Sequence, residues 1–219
     1  KDFVRVEMIE RARLLSIELT RTFYKTTLRQ DKEKKRKFIF NTQYIHSFSE
    51  LEFMVAAQLQ LKGHEVVMLG CDGLPYSERE TVDLPNIKSY KSCSSRTQRY
   101  CSAYGLKYIK LNSFLDEKDK RDAHSLSLAP ISKIQNYTEN NINVGEFAKR
   151  NHAHYFKGDI NPIGEFQCVF RKAFEAGYLT MLAMIRVLDK YPGYDLVTAN
   201  GKFIQSGIPV ELAHAANRS

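Results

Sequence analysis

Lys37-Phe38-Ile39-Phe40-Asn41 opens the stretch whose reading decides the fold. It is followed by a polar and aromatic segment, Thr42-Gln43-Tyr44-Ile45-His46-Ser47-Phe48, then by residues 49–62, Gly63, and Glu65-Val66-Val67-Met68-Leu69. The first and last pieces are short, apolar runs rich in β-branched or aromatic residues, which predicts two buried strands. Between them, Ser49 and Glu52 have the S-x-x-E spacing of a capping box, in which serine oxygen and glutamate satisfy each other's orphan amides at a helix start. Leu51, Phe53, Met54, Val55, Ala57, Leu59 and Leu61 wrap most of that helix's girth, and Gly63 supplies a C-cap. The result is a βαβ unit. A helix apolar all round between two apolar strands predicts a parallel sheet covered on both faces.

Outward from this unit the pattern continues. Residues 70–92 read as irregular and polar, with Gly70, Gly73, Pro75 and Pro85. A helix is predicted from about 94 to 104, stopped by Gly105, and a third strand over 106–111. Residues 116–122 read as a charged turn or helix end, and the Ser- and Asn-rich stretch to Asn143 as an insertion. Helical patterning over 144–156 extends this helical insertion to span about 112–162. From 163 to 190 the pattern is helical again, with Gly177 expected to divide or kink it. Pro192-Gly193 ends that helix, 194–199 reads as a fourth strand, Asn200-Gly201 starts a turn, and a last helix covers 208–216. The expected fold is α/β: residues 37–219 form a Rossmann-like open parallel sheet flanked by helices, preceded by an amphipathic N-terminal helix and charged linker over 1–36. Right-handed crossovers put the first three strands in the order 3-2-1, with the Tyr194 strand on the other side of the first. A parallel sheet that stops on a helix soon after a strand and turn reads as half of a longer protein.

Composition narrows the class. The 219 residues carry a net charge of +8, from 33 Lys and Arg against 25 Asp and Glu, and are 43% hydrophobic, enough for a well-buried core. With 26% charged residues, 13 Phe and 12 Tyr, the chain is neither disordered nor collagenous nor of low complexity. No run approaches ~18 apolar residues. Lys1 has no apolar stretch behind it, so no signal peptide is expected. Cys71, Cys93, Cys101 and Cys168 form no C-x-x-C pair and read as reduced thiols of a cytosolic protein. The charge is concentrated: residues 1–38 hold twelve Lys and Arg against six acids, +6 of the total, which leaves a nearly neutral body with no general affinity for nucleic acid. In that segment Val4, Met8, Ala12, Leu15, Leu19 and Phe23 recur at steps of three and four, with charges on the other face. Such a helix either lies on an anionic membrane surface, through residues 1–37, or packs on the domain or a partner with its charged face in water.

In open α/β sheets, ligands bind beyond the carboxyl ends of the strands. The loop after the first strand holds His46 in front of a capped helix, flanked by Asn41, Tyr44 and Ser47. An imidazole is half-ionised near neutral pH and suits a general base; a surface loop histidine is the plainer alternative. Asn200-Gly201-Lys202 follows the fourth strand, where glycine permits close backbone approach, as it also would in an ordinary turn. Arg171 and Lys172, with Lys149 and Arg150, are candidates for pairing a phosphate or a sugar carboxylate, against a solvated or acid-paired helix surface. No metal is expected: His152 and His154 stand two apart on a helix and point to different faces, with no Cys or acid at zinc spacing. Gly70-Cys71-Asp72-Gly73 is not a dinucleotide fingerprint, which needs G-x-G-x-x-G after the first strand.

Taken in order, residues 38–49, the run from Glu50 through Lys62-Gly63-His64-Glu65-Val66 to Leu69, and Cys71-Asp72-Gly73-Leu74-Pro75 form the first part of a wider series. A cysteine-bearing helix leading into 104–111, then Val144-Gly145-Glu146-Phe147-Ala148, Phe170-Arg171 and residues 194–201 complete it. The series resembles the N-terminal half of GT-B glycosyltransferases of a bacterial capsule-polysaccharide type, over most of residues 37–210. The resemblance implies two Rossmann-like domains facing across a cleft, with the acceptor on the N-terminal half and the nucleotide sugar on the C-terminal half. This chain would then be the acceptor-binding half of a metal-independent enzyme acting on a cell-envelope glycan or glycolipid in the cytoplasm, at or near the inner face of the membrane. His46 would be the base, and Asn41, Tyr44, Ser47, Asn200, Gly201, Lys202 and Arg171 the substrate contacts. These 219 residues hold no donor domain and no E-x(7)-E signature, so the nucleotide-sugar donor is expected in a C-terminal domain outside them, and this stretch is not expected to transfer sugar by itself. A non-catalytic Rossmann-like module that binds a nucleotide or a protein is the competing class. Nucleic-acid binding through the basic first 38 residues is a third, and it would show a steep fall of affinity with salt.

Overall fold

The computed structural model describes residues 35–42, 49–70, 74, 87–155, 164, 167–198 and 204–217. The helix expected over the first 34 residues, the loop holding Tyr44, His46 and Ser47, and the turn holding Asn200, Gly201 and Lys202 lie outside the described residues.

In chain order the elements are β1 (Lys37–Asn41), α1 (Ser49–Leu61), β2 (Glu65–Gly70), α2 (Ile87–Tyr104), β3 (Lys107–Lys110) and a 3-10 turn (Leu111–Phe114). Then follow α3 (Glu117–Ser127), α4 (Ile131–Ile134), a small hairpin of β4 (Thr138–Glu139) and β5 (Ile142–Asn143), α5 (Val144–Tyr155), α6 (Gln167–Lys190), β6 (Asp195–Val197) and α7 (Ile204–Ala215). Four strands form a parallel sheet in the order β3-β2-β1-β6, as the sequence predicts, with Ile39 opposite both Val67 and Leu196.

Local chemistry sets the first two turns of this pattern. Gly63 and Gly105 take φ values of +90° and +64°, which a residue with a Cβ rarely adopts. The His64 amide then reaches back to the Leu59 carbonyl at 3.1 Å, and the Leu106 amide to the Cys101 carbonyl at 2.8 Å. This wrap-around bond of the Schellman motif ends α1 and α2 where β2 and β3 must begin.

The sheet is covered on both faces. Ile39, Val67 and Leu69 pack with Phe147 of α5, Phe170, Phe174 and Met184 of α6, and Ile208 of α7. Phe40, Val66 and Met68 point the other way, into a smaller cluster with Phe53 and Ala56 of α1 and Tyr100 and Cys101 of α2. Helix α6 is the main structural support, with half of its 24 residues buried. Each large side chain it buries contributes about 1.5–3 kcal/mol relative to exposure.

Two readings of the sequence need correction. Gly177 does not divide a helix, because α6 runs unbroken from Gln167 to Lys190. A Cβ at Gly177 would lie 3.1 Å from Val144 Cγ1 and 3.5 Å from Ile208 Cδ1, so the glycine lets α5 and α7 close on α6. Residues 116–122 are not a turn but the start of the 11-residue α3, where Asp116 and Asp119 accept each other's backbone amides, both at 2.8 Å. Within the stretch read as an insertion, described as far as Tyr155, Ala123, Ile134, Ile142, Val144 and Phe147 are buried in the main core. Arg186 of α6 secures it, donating to both carboxylate oxygens of Asp119 (2.5 and 2.7 Å) and to the Phe114 carbonyl. That guanidinium holds the Asp119 carboxyl below the usual carboxylate range.

Candidate functional site

Strand β1 lies between β2 and β6. The chain leaves β1 for α1 on one face of the sheet and leaves β6 for α7 on the other. The two connections part at the carboxyl ends of adjacent strands, which is a topological switch point, the place where open α/β sheets hold ligands.

The polar groups at this mouth are buried and tied to backbone. Asn41 is 5% exposed and Thr42 2% exposed. Asn41 Nδ2 donates to the Gln205 carbonyl at 2.7 Å and to Thr198 Oγ1 at 3.4 Å. The reason lies four residues on in α7, where Pro209 has no N–H to give the Gln205 carbonyl its helical bond. The strand's asparagine replaces it. From α5, Asn151 Oδ1 accepts the Ile204 amide at 3.2 Å, so two buried asparagines hold the first turn of α7. On the opposite side, Thr42 Oγ1 donates to Glu52 Oε2 at 2.8 Å. Burial pushes the Glu52 carboxyl up, and the threonine bond only partly opposes it. Glu52 thus pairs with Thr42 at the start of α1, and the Ser49 side chain of the expected capping box is not among the described side chains. At the end of β2, a Cβ on Gly70 would stand 2.5 Å from Tyr108 Oη, so a larger residue there would require the Tyr108 ring to shift.

Comparison with protein-family models, curated proteins and solved structures finds no match.

Of the residues singled out in the sequence, Asn41 sits at the mouth with its amide committed to α7. Tyr44, His46, Ser47, Asn200, Gly201 and Lys202 belong to the two segments that begin after Thr42 and Thr198. Thr198 is bonded by Asn41, the residue before Thr42, so both segments leave from adjacent strand ends. Arg171 is tied elsewhere: its Nη1 donates to the Ser127 and Ala129 carbonyls, closing the C-terminal end of α3. Lys149 and Arg150 both pair with Glu146, at 3.7 and 3.4 Å. His152 is a core residue, fully buried with its ring edge-on to Phe170 at 6.1 Å. Among the described residues no group of three or more His, Cys, Asp or Glu is placed to hold a metal. No described helix is long and apolar enough to cross a membrane.

A second concavity, of about 420 Å³, lies along the free side of β3, lined by Cys101, Tyr108, Lys110, Lys190 and Tyr191 among others. Burial pushes the Cys101 thiol up to about 12, which removes it as a nucleophile at neutral pH. Its described lining holds no carboxylate or imidazole.

Sequence reasoning did not single out Thr42, Asn151 or Thr198, and took Glu52 only as a cap. Pro209 inside a helical pattern was the one available signal, since it announces a carbonyl that needs an outside donor.

Proposed function

We propose that this domain is the acceptor-binding half of a nucleotide-sugar-dependent glycosyltransferase acting on a cell-envelope glycan or glycolipid. One observation carries the reading: adjacent parallel strands β1 and β6 end at a switch point that joins Asn41, Thr42 and Thr198, and the two segments with the chemistry-bearing residues both start there. The ordered resemblance of residues 37–210 to GT-B acceptor domains supports it.

In this reading His46 accepts the proton of an acceptor hydroxyl as that oxygen attacks the anomeric carbon of the donor sugar. The bond from that carbon to the diphosphate breaks, and the nucleoside diphosphate leaves with the electron pair. A positioned base of this kind contributes typically 10²- to 10⁴-fold. Cationic groups and helix N-termini neutralise the departing diphosphate. Tyr44, Ser47, Asn200, Gly201 and Lys202 orient the acceptor, and the donor belongs to a second Rossmann-like domain outside these residues. The setting is cytoplasmic, beside the inner membrane face where lipid-linked acceptors are presented.

Calorimetry of the 219-residue chain against UDP-, GDP- and CMP-sugars, with amide NMR of the same chain during titration with acceptor glycans, tests the assignment of halves. Acceptors are expected to shift the Asn41, Thr42 and Thr198 amides, and the nucleotide sugars to give no saturable heat. Saturable low-micromolar binding of a nucleotide sugar by this chain alone overturns the reading in favour of a nucleotide-binding module.

A further inference from the structure

The outer face of α1 carries Leu51, Met54 and Val55, exposed by 60%, 55% and 43%. Their i, i+3, i+4 spacing makes one stripe, on the side opposite Phe53, Ala56 and Ala57, which bury against the sheet. A helix that faces water normally carries polar residues there.

The chain enters the described fold at the far end of this same helix. The Arg36 amide donates to His64 Nδ1 at 3.1 Å, the Glu65 amide donates to the Arg36 carbonyl at 3.0 Å, and a Cβ built on Gly63 would lie 3.7 Å from Lys35 Cε. The preceding 34 residues are therefore tethered beside the C-terminal end of α1. Their sequence collects Val4, Met8, Ala12, Leu15, Leu19 and Phe23 on one helical stripe. Helix α1, with 13 residues, is ~20 Å long at ~1.5 Å per residue. Residues 24–34 reach up to ~36 Å at ~3.3 Å each, more than enough to bring the stripe over it.

We propose that the outer face of α1 is the docking site for the chain's own N-terminal segment, the apolar stripe of residues 4–23 lying on Leu51, Met54 and Val55. The tether selects this occupant. Three side chains offer far less than the ~1,200–2,000 Å² that an independent partner buries, but a tethered segment meets them at an effective concentration of ~mM. The inference is independent of the transferase reading, and its test involves no sugar.

The five methionines provide the readout in the full chain: Met8 on the segment, Met54 on α1, and Met68, Met181 and Met184 fully buried in the core. In methyl-labelled protein with a soluble paramagnetic agent, Met54 is expected to be shielded. L15D/L19D should raise its relaxation several-fold while the three core methyls stay unchanged and report an intact fold. Leu51→Gln, a polar change at an exposed position, should expose Met8 in return and gives a second route if the double variant unfolds. A Met54 methyl that relaxes as fully exposed in the unsubstituted chain overturns the proposal. So does shielding that disappears on dilution, which would mean a second copy, or that arises only with phosphatidylglycerol vesicles, which would mean a membrane.

Discussion

Read across the sheet, the four strands begin with Lys107, Glu65, Lys37 and Asp195, alternating in sign, whereas their carboxyl ends at β1 and β6 are finished by the amide and hydroxyls of Asn41, Thr42 and Thr198. At the amino end Lys37 pairs with Glu65 at 3.5 Å, Arg36 with Asp195 at 2.6 Å, Tyr194 donates its phenol to Glu65, and Lys107 sits over the Tyr191 ring at 5.3 Å. The charged groups are exposed or half-buried, while the Tyr191 and Tyr194 rings are buried, and the groups satisfy one another. At the carboxyl end, buried Asn41 serves the Gln205 carbonyl of α7 and buried Thr42 the Glu52 carboxylate of α1. Exposed pairs are worth roughly 0–1 kcal/mol each, while a buried carbonyl left without its donor costs about 1–3 kcal/mol. The end with fewer charges is therefore the more easily damaged, and it is the end where function is proposed.

Substitutions at the two ends should separate accordingly. If the proposed transferase reading holds, the largest effect is expected from His46→Ala: sugar transfer falls about 10²-fold or more with little change in melting temperature. Activity within a few-fold of the parent would return that loop to ordinary surface. Next comes Asn41→Ala, which strands the Gln205 carbonyl; urea unfolding should show a loss of about 1–3 kcal/mol, and a neutral result would mean that water replaces the amide.

The two glutamates sharpen the contrast because they titrate in opposite directions. The Tyr194 phenol, then Lys37 and Lys107, hold the Glu65 carboxyl below its ordinary value. Its contribution is present above the unfolded pKa of about 4.3 and is lost as pH falls through the folded value. Tyr194→Phe should thus weaken the fold at neutral pH, the deficit shrinking as the solution is acidified below that point. Burial raises the Glu52 carboxyl instead, so relative to glutamine it favours folding at low pH and loses that advantage as pH rises through its folded value. Glu52→Gln should gain on the parent between acid and neutral pH, and denaturant midpoints across that range check both slopes. The smallest effect is expected at Arg36, where alanine should cost roughly 0–1 kcal/mol at low salt and less in concentrated salt. A loss as large as that at Asn41 would collapse the distinction between the ends.

The strand order was legible because each piece of β1, α1 and β2 carried its own signal: apolar runs, a polar boundary, and Gly63 at the turn. The crossover was not, because α3 has few apolar anchors. Its placement rests on Asp119 meeting Arg186, 67 residues away, a pairing no local pattern contains. Gly177 misled for a related reason, since glycine reads as a breaker until the helices it admits are known. At the site, Asn41 was found by position, but its partnership with Gln205 depends on Pro209 and on a contact across the whole domain.

That partnership bears on the order in which the molecule is assembled. Asn41 and Gln205 are 164 residues apart, so β1 is synthesised long before the helix that depends on it. An isolated α7 would begin with a carbonyl that only water could serve, and no rearrangement within the helix supplies the missing donor. Its first turn is completed by an event distant in sequence, the closing of β6 against β1. Contacts of such long range form slowly, after local ones have nucleated. The first turn of α7 is therefore complete only when the chain's first described strand and its last described helix have met.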